Sequence, residues 1–200
     1  MTRALIVVDV QRDFCEGGTL AASETRSLLQ PLGEYLAAAR HLGTKIVFTQ
    51  DWHPPNHSSF ATEGGPWPVH CVAGSPGAEL MPPLVAEAGD VVVHKGQMRE
   101  GAGYSGFEST SLTEQLRKLG VQEAAVCGVA TEYCVRATAL DAAKAGFRVT
   151  ALRDLIRPVQ LAAVEPTLQE LSSQGIEITD SRSWLKTAPQ GLRHGSSAAR

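Results

Sequence analysis

The sequence predicts an α/β fold: a three-layer α/β/α arrangement on a mostly parallel six-stranded sheet of Rossmann-like order. Three observations predict it. Short β-branched runs alternate with helical patterns, as crossover units require. The strand-like runs are almost continuously apolar, as strands covered on both faces must be. Gly43, Gly120, Gly146 and Gly175 each close a helical pattern just before a strand, where a left-handed C-cap is needed.

The elements follow in order. Leu5-Ile6-Val7-Val8 anchors a strand over 4–10, and the long pattern over 23–42 reads as a helix ended by Gly43. Ile46-Val47-Phe48 sets a second strand at 45–50, and Val91-Val92-Val93 a third at 90–94. A helix over 111–119, capped by Gly120, leads to a fourth strand at 124–129. A helix at 133–145, a strand at 147–152, a helix at 161–173 and a strand at 176–179 complete the alternation. Right-handed crossovers in such a sheet place the ligand crevice at the carboxyl ends of the strands.

Residues 52–83 break the pattern, being rich in proline, glycine and histidine with little periodicity. A connection this long in a compact domain is either functional or disordered; its tryptophans and histidines favour function. The expected organisation is one domain over 1–186, with 52–83 as an insertion and 187–200, small and polar, as a disordered tail. With 200 residues, 43% apolar and 20% charged, the chain has the make-up of a soluble globular protein. A formal charge of −3 offers no basic field for nucleic acid or an anionic membrane. No apolar run reaches the roughly 18–20 residues that span a bilayer. The N-terminus runs straight into a strand rather than a leader, so the cytoplasm is the expected compartment. Four well-separated cysteines without a CxxC pair are read as free thiols.

The stretch Gly128-Val129-Ala130-Thr131-Glu132-Tyr133-Cys134-Val135-Arg136 carries the most chemistry. A strand feeds a turn, and a helix then begins with Cys134 in its first turn. Free N–H groups and partial positive charge gather at a helix N-terminus. A thiol there is expected to fall from about 8.5 into a range of roughly 3.5–7.5, and the same N–H groups suit an oxyanion. Asp9 closes the first strand and Lys95 follows the third. An acid buried among apolar residues needs a partner, and Lys95 provides one. The bland alternative for Asp9 is a structural ion pair. An acid, a base and a thiol converging from three strand ends suit an activated nucleophile.

Asp51-Trp52-His53, followed by His57, Glu63 and His70, forms a second constellation. One carboxylate and two imidazoles suit a divalent transition metal. Asp51, His53 and His70 are the main candidates, with His57 or Glu63 competing for a fourth place; a histidine-bearing surface loop is the plain alternative. Phe14, Trp67 and Tyr104 are candidate walls for a small flat substrate, though isolated aromatics also serve as core. No GxGxxG fingerprint is present. Cys127, within a strand, and Cys15 and Cys71, in loops, lack the strand–turn–helix setting of Cys134.

Taken together, ALIVVDVQRDFCEGGTLA (4–21), DWHPPNHSSF (51–60), WPVHCVAGSPGAEL (67–80), HKGQMREGAGYSGFE (94–108) and GVATEYCVRATALDAAKAGF (128–147) resemble the nicotinamidase branch of the isochorismatase-like cysteine hydrolases. The resemblance covers nearly the whole chain except the tail. It implies a triad of Asp9, Lys95 and Cys134, and metal ligands at Asp51, His53 and His70. It implies a cis peptide at Val129-Ala130 that aims the Ala130 N–H, with that of Cys134, at an oxyanion. It places Phe14 and Trp67 about the substrate ring. The implied activity is hydrolysis of nicotinamide to nicotinate and ammonia through a thioester, with pyrazinamide also accepted. One divalent ion is implied, zinc ahead of iron or manganese. Oligomeric state, including a homo-oligomer, is left open. Two other readings stand beside this one: a relative acting on another amide, carbamoyl or lactam substrate, and a non-catalytic metal-binding or thiol-redox protein.

Overall fold

The computed structural model describes residues 1–186; the tail expected over 187–200 lies outside them. The elements are β1 (Thr2–Val8), α1 (Thr25–His41), β2 (Lys45–Asp51), β3 (Val91–Lys95), α2 (Leu112–Lys118) and β4 (Val121–Val129). There follow α3 (Arg136–Lys144), β5 (Arg148–Arg157), α4 (Val164–Ser173), β6 (Glu177–Thr179) and α5 (Ser181–Lys186). All six strands run parallel in one sheet of order β3-β2-β1-β4-β5-β6. The order reverses at β1, so the crevice opens at the tips of β1 and β4.

Alternation along each strand divides the core. Leu5 and Val7 of β1, Ile46 and Phe48 of β2 and Ala125 of β4 pack under α1 (Leu28, Leu32, Leu36) and Trp184 of α5. Ala4, Ile6 and Val8, with Val47, Val93 and Val126, face α2, α3 and α4 through Leu116, Ala142 and Leu171. Both faces are covered, which is why the strands read as unbroken apolar runs. Each large aliphatic side chain buried this way contributes about 1.5–3 kcal/mol.

The sequence reading and the structure differ in several places. β1 ends at Val8, and Asp9 lies just past it with φ 50°. β5 continues to Arg157 because its pairing with β4 jumps from Val126↔Ala151 to Gly128↔Ile156, which bulges the exposed Arg153 and Asp154 outward. The short helix α5 has no counterpart in the expected elements. The insertion is also no structureless loop: Gln11 bridges to Leu80, His53 to Val72 and Phe60 to Trp67. Among the described residues no helix is long and apolar enough to cross a membrane.

Candidate active site

Parallel strand ends bring distant polar residues together. In the β2–β3 register Asp51 stands opposite Lys95, and Val8, one residue before Asp9, stands opposite Gly128. Gly128 is required there: its φ is 110°, and a Cβ would sit 2.2 Å from Val8 O. The peptide Val129-Ala130 is cis, as the resemblance implies. Residues Thr131–Val135 then form a π-helical turn rather than the first turn of an α-helix, and this turn presents Cys134.

Asp9, Lys95 and Cys134 meet with almost no exposure to solvent. Lys95 Nζ lies 2.8 Å from Asp9 Oδ2 and donates hydrogen bonds to Asp51 Oδ1 (2.5 Å), Gly103 O (2.9 Å) and Cys134 Sγ (3.4 Å). Thr49 Oγ1 donates to Asp9 Oδ1 at 2.6 Å. Burial opposes the Lys95 charge, yet Asp51 and Asp9 outweigh it and hold the ammonium well above its ordinary range. Burial likewise raises Asp9, with Lys95 opposing.

The thiol departs from expectation. Burial pushes Cys134 well above its ordinary value; Lys95 opposes this, but Asp9 and Asp51 add to the rise. Two carboxylates beside one ammonium leave no surplus of positive charge for a thiolate. The direction therefore favours the proton on sulfur, with the Asp9 carboxyl group beside it.

Asp51 turns its other oxygen to the histidines. His53 Nε2 is 3.4 Å and His70 Nε2 4.0 Å from Asp51 Oδ2. Burial opposes the Asp51 charge, but Lys95 and His53 overcome it and hold the carboxyl below its usual range. Ligand atoms of Asp51, His53 and His70, all buried, lie within 4.8 Å of one another. His53 Nδ1 is 2.9 Å from Gly96 O and His70 Nδ1 2.7 Å from Pro68 O. A carbonyl can only accept, so Nδ1 carries the proton and Nε2 keeps its lone pair, the tautomer a metal requires. Burial lowers His70, favouring the neutral ring. The donor set fits a divalent ion.

The two candidates for a fourth place separate. His57 is buried against His53, ring centroids 4.1 Å apart, and its Nε2 has no hydrogen-bond partner. Burial, then His53, lowers it to about 4. Glu63 instead lies at the surface, paired with Arg99 at 3.5 Å and outside the buried cluster.

Cys134 of the first group and all of Asp51, His53 and His70 line one cavity, together with Phe14, Trp67, Tyr104 and Ala130, while Asp9 and Lys95 lie behind that lining. Trp67 Nε1 donates to Tyr104 Oη at 3.2 Å, which fixes two of the aromatic walls. Tyr133 also lines the cavity, its ring centroid 5.2 Å from that of Trp67 and 5.6 Å from that of Tyr104.

Sequence reasoning missed the residues that orient the site. Gln11 Nε2 donates to Asp51 O (2.8 Å) and its Oε1 accepts from Asp51 N–H (2.8 Å). Asp13 Oδ2 accepts the Cys71 N–H at 2.7 Å, beside His70. Gly96, with φ 65°, lies so close to His53 that a Cβ would come 2.4 Å from its ring. No local pattern marks these residues; each acts on a partner 40 or more positions away.

The isochorismatase domain family matches residues 3–183. The nicotinamidase/pyrazinamidase of Mycobacterium tuberculosis is 40% identical over 184 residues, covering 88% of this chain and 97% of that protein. The structure of the pyrazinamidase of Pyrococcus horikoshii in complex with zinc superposes with a TM-score of 0.86 at 46% identity, covering 90% of this chain and 99% of that one. That of PnC1 from L. infantum in complex with nicotinate gives 0.82 at 38%, covering 91% and 94%. Match, fold and site geometry agree: the chain belongs to the isochorismatase family.

Proposed function

We propose that this chain hydrolyses nicotinamide to nicotinate and ammonia through a thioester on Cys134, and that it takes pyrazinamide as well. One observation carries the reading. Cys134, backed by Asp9 and Lys95, and the Asp51–His53–His70 cluster line a single aromatic-walled cavity. Relatives that act on or bind pyridine and pyrazine compounds support the same substrate class.

The chain's residues divide the work. Phe14, Trp67 and Tyr104 enclose the ring and exclude water. Asp9 accepts the thiol proton as sulfur attacks the carboxamide carbon, so the nucleophile is generated at the moment of use. Lys95 faces the sulfur and balances the charge that appears there. The N–H groups of Ala130 and Cys134 receive the oxyanion, each good donor lowering the barrier by about 3–4 kcal/mol. Asp9 returns its proton to the departing ammonia, then takes one from the water that cleaves the thioester. A divalent ion, zinc first, held by Asp51, His53 and His70, supplies a Lewis-acid site for the ring nitrogen. His57, with its unpartnered buried nitrogen, is better placed than Glu63 to extend that shell.

The test is ammonia release by the zinc-loaded chain, with acid-quenched protein weighed for a nicotinoyl adduct. Turnover of nicotinamide and pyrazinamide, with the adduct on Cys134 and both lost in Cys134→Ala, is the expected result. Failure on both pyridine and pyrazine carboxamides, with turnover of a carbamoyl or lactam substrate, overturns it.

A further inference from the structure

Glu132 sits in the turn that presents Cys134, yet the chemistry above gives it no task. Its carboxylate accepts two consecutive main-chain N–H groups, from Val159 at 3.2 Å and from Gln160 at 2.9 Å. Val159 lines the substrate cavity. The opposite edge of the same segment is held as well. Pro158 O accepts from the Ser23 N–H at 2.7 Å, and Val159 O accepts from Ser23 Oγ at 2.9 Å. Ser23 directly follows Ala22, which with Leu20 lines the cavity. Residues 158–160 thus form a strap, with its N–H groups tied to the nucleophile's turn and its carbonyls tied to the loop that carries Phe14, Leu20 and Ala22.

We infer that Glu132 is a positioning and specificity residue: it holds Val159 as a fixed wall of the cavity and so limits which rings enter. The inference rests on the proposed nicotinamide hydrolysis and deepens it. The residue type matters. Two carboxylate oxygens can each accept one N–H, and hydrogen bonds to a charged acceptor are the strong ones. A glutamine has one accepting oxygen, and its NH₂ group would face the second N–H donor to donor. Glu132 does not touch the reacting atoms. Loosening the strap therefore removes binding shared by ground and transition states, which raises KM more than it lowers kcat. A looser wall also admits rings bearing an extra substituent, such as methyl-substituted nicotinamides.

Glu132→Gln and Ser23→Ala test the strap from its two ends, since Ser23 is remote from the nucleophile's turn. In Glu132→Gln, KM for nicotinamide is expected to rise about tenfold with kcat changed less than about threefold. Ser23→Ala should move KM the same way by less, and the double variant should fall short of the product of the two, because both act on one element. In each variant kcat/KM for a methyl-substituted nicotinamide should gain on that for nicotinamide. Amide hydrogen exchange at Val159 and Gln160 should quicken in Glu132→Gln, a readout that needs no substrate. Unchanged exchange at those amides, or an unchanged substrate ratio in both variants, overturns the inference. A fall in kcat confined to Glu132→Gln also overturns it, since Glu132 would then act through Cys134. Wild-type protein that exchanges slowly at these amides but leaves nicotinamide intact condemns the proposed reaction instead.

Discussion

Lys95 holds its ammonium 2.8 Å from Asp9 Oδ2, the shorter of the two distances by which it reaches the triad's other members. Its three N–H bonds point to Asp51, Gly103 and Cys134. Asp9 Oδ1 is meanwhile engaged by Thr49. Oδ2 therefore feels the cation's field at a buried position beside the thiol. That is the arrangement a proton acceptor for a buried thiol requires.

Removing Lys95 should be costly twice over. Lys95→Met leaves Asp9 and Asp51 buried without their cation, and breaking such a cluster costs about 3–5 kcal/mol. A lowered midpoint in urea unfolding, together with loss of nicotinamide turnover, is the expected result. Wild-type stability would show that the cation is not compensating those carboxylates.

Thr49→Val should move the pH profile. The Thr49 hydroxyl favours the ionised form of Asp9, whose value burial already raises. Without it Asp9 rises further and stays protonated, hence unable to act as base, up to a higher pH. The acid limb of kcat/KM should shift upward by about one unit, with little change on the plateau. A downward shift would contradict the assignment of Asp9 as the base.

Gly96→Ala should weaken the metal site before it touches the chemistry. The added methyl would meet the His53 ring at 2.4 Å, at a φ of 65°. His53 must turn, losing its bond to Gly96 O. Disturbing such a support lowers metal affinity by about 10–100-fold. Competition with a chromogenic chelator measures this, and unchanged affinity would remove His53 from the ligand set.

Benzamide has the carboxamide and the flat ring but no ring nitrogen. It should be hydrolysed with a kcat/KM at least about a hundredfold below that of nicotinamide. Treatment with a chelator should erase most of that difference. Equal turnover of the two amides in the metal-loaded protein would detach the ion from substrate binding.

The strands were legible because burial on both faces leaves unbroken runs such as Leu5-Ile6-Val7-Val8, and their ends because glycine alone suits the left-handed caps at Gly43 and Gly120. Helix α5 was not, since Ser181–Lys186 is one short turn whose apolar content is little more than Trp184 and Leu185. The residues that carry chemistry were visible as unusual types at strand ends. Their supports were hidden: Thr49, Gln11 and Asp13 look like ordinary polar positions until the fold supplies a partner. The thiol's direction was misread for a related reason. The turn's own influence is local and readable, whereas burial and the crowding by Asp9 and Asp51 arise from strands far apart in sequence.

Sheet order also governs when this protein becomes reactive. Asp9, Asp51 and Lys95 are made first, on strands that can pair among themselves, while sulfur arrives only with β4, which must dock on β1 from the other side. A growing or partly melted chain thus holds the Cys134 thiol without Asp9 and Lys95 beside it. Assembly of the Asp9–Lys95–Cys134 cluster therefore waits for the last of these strands to dock.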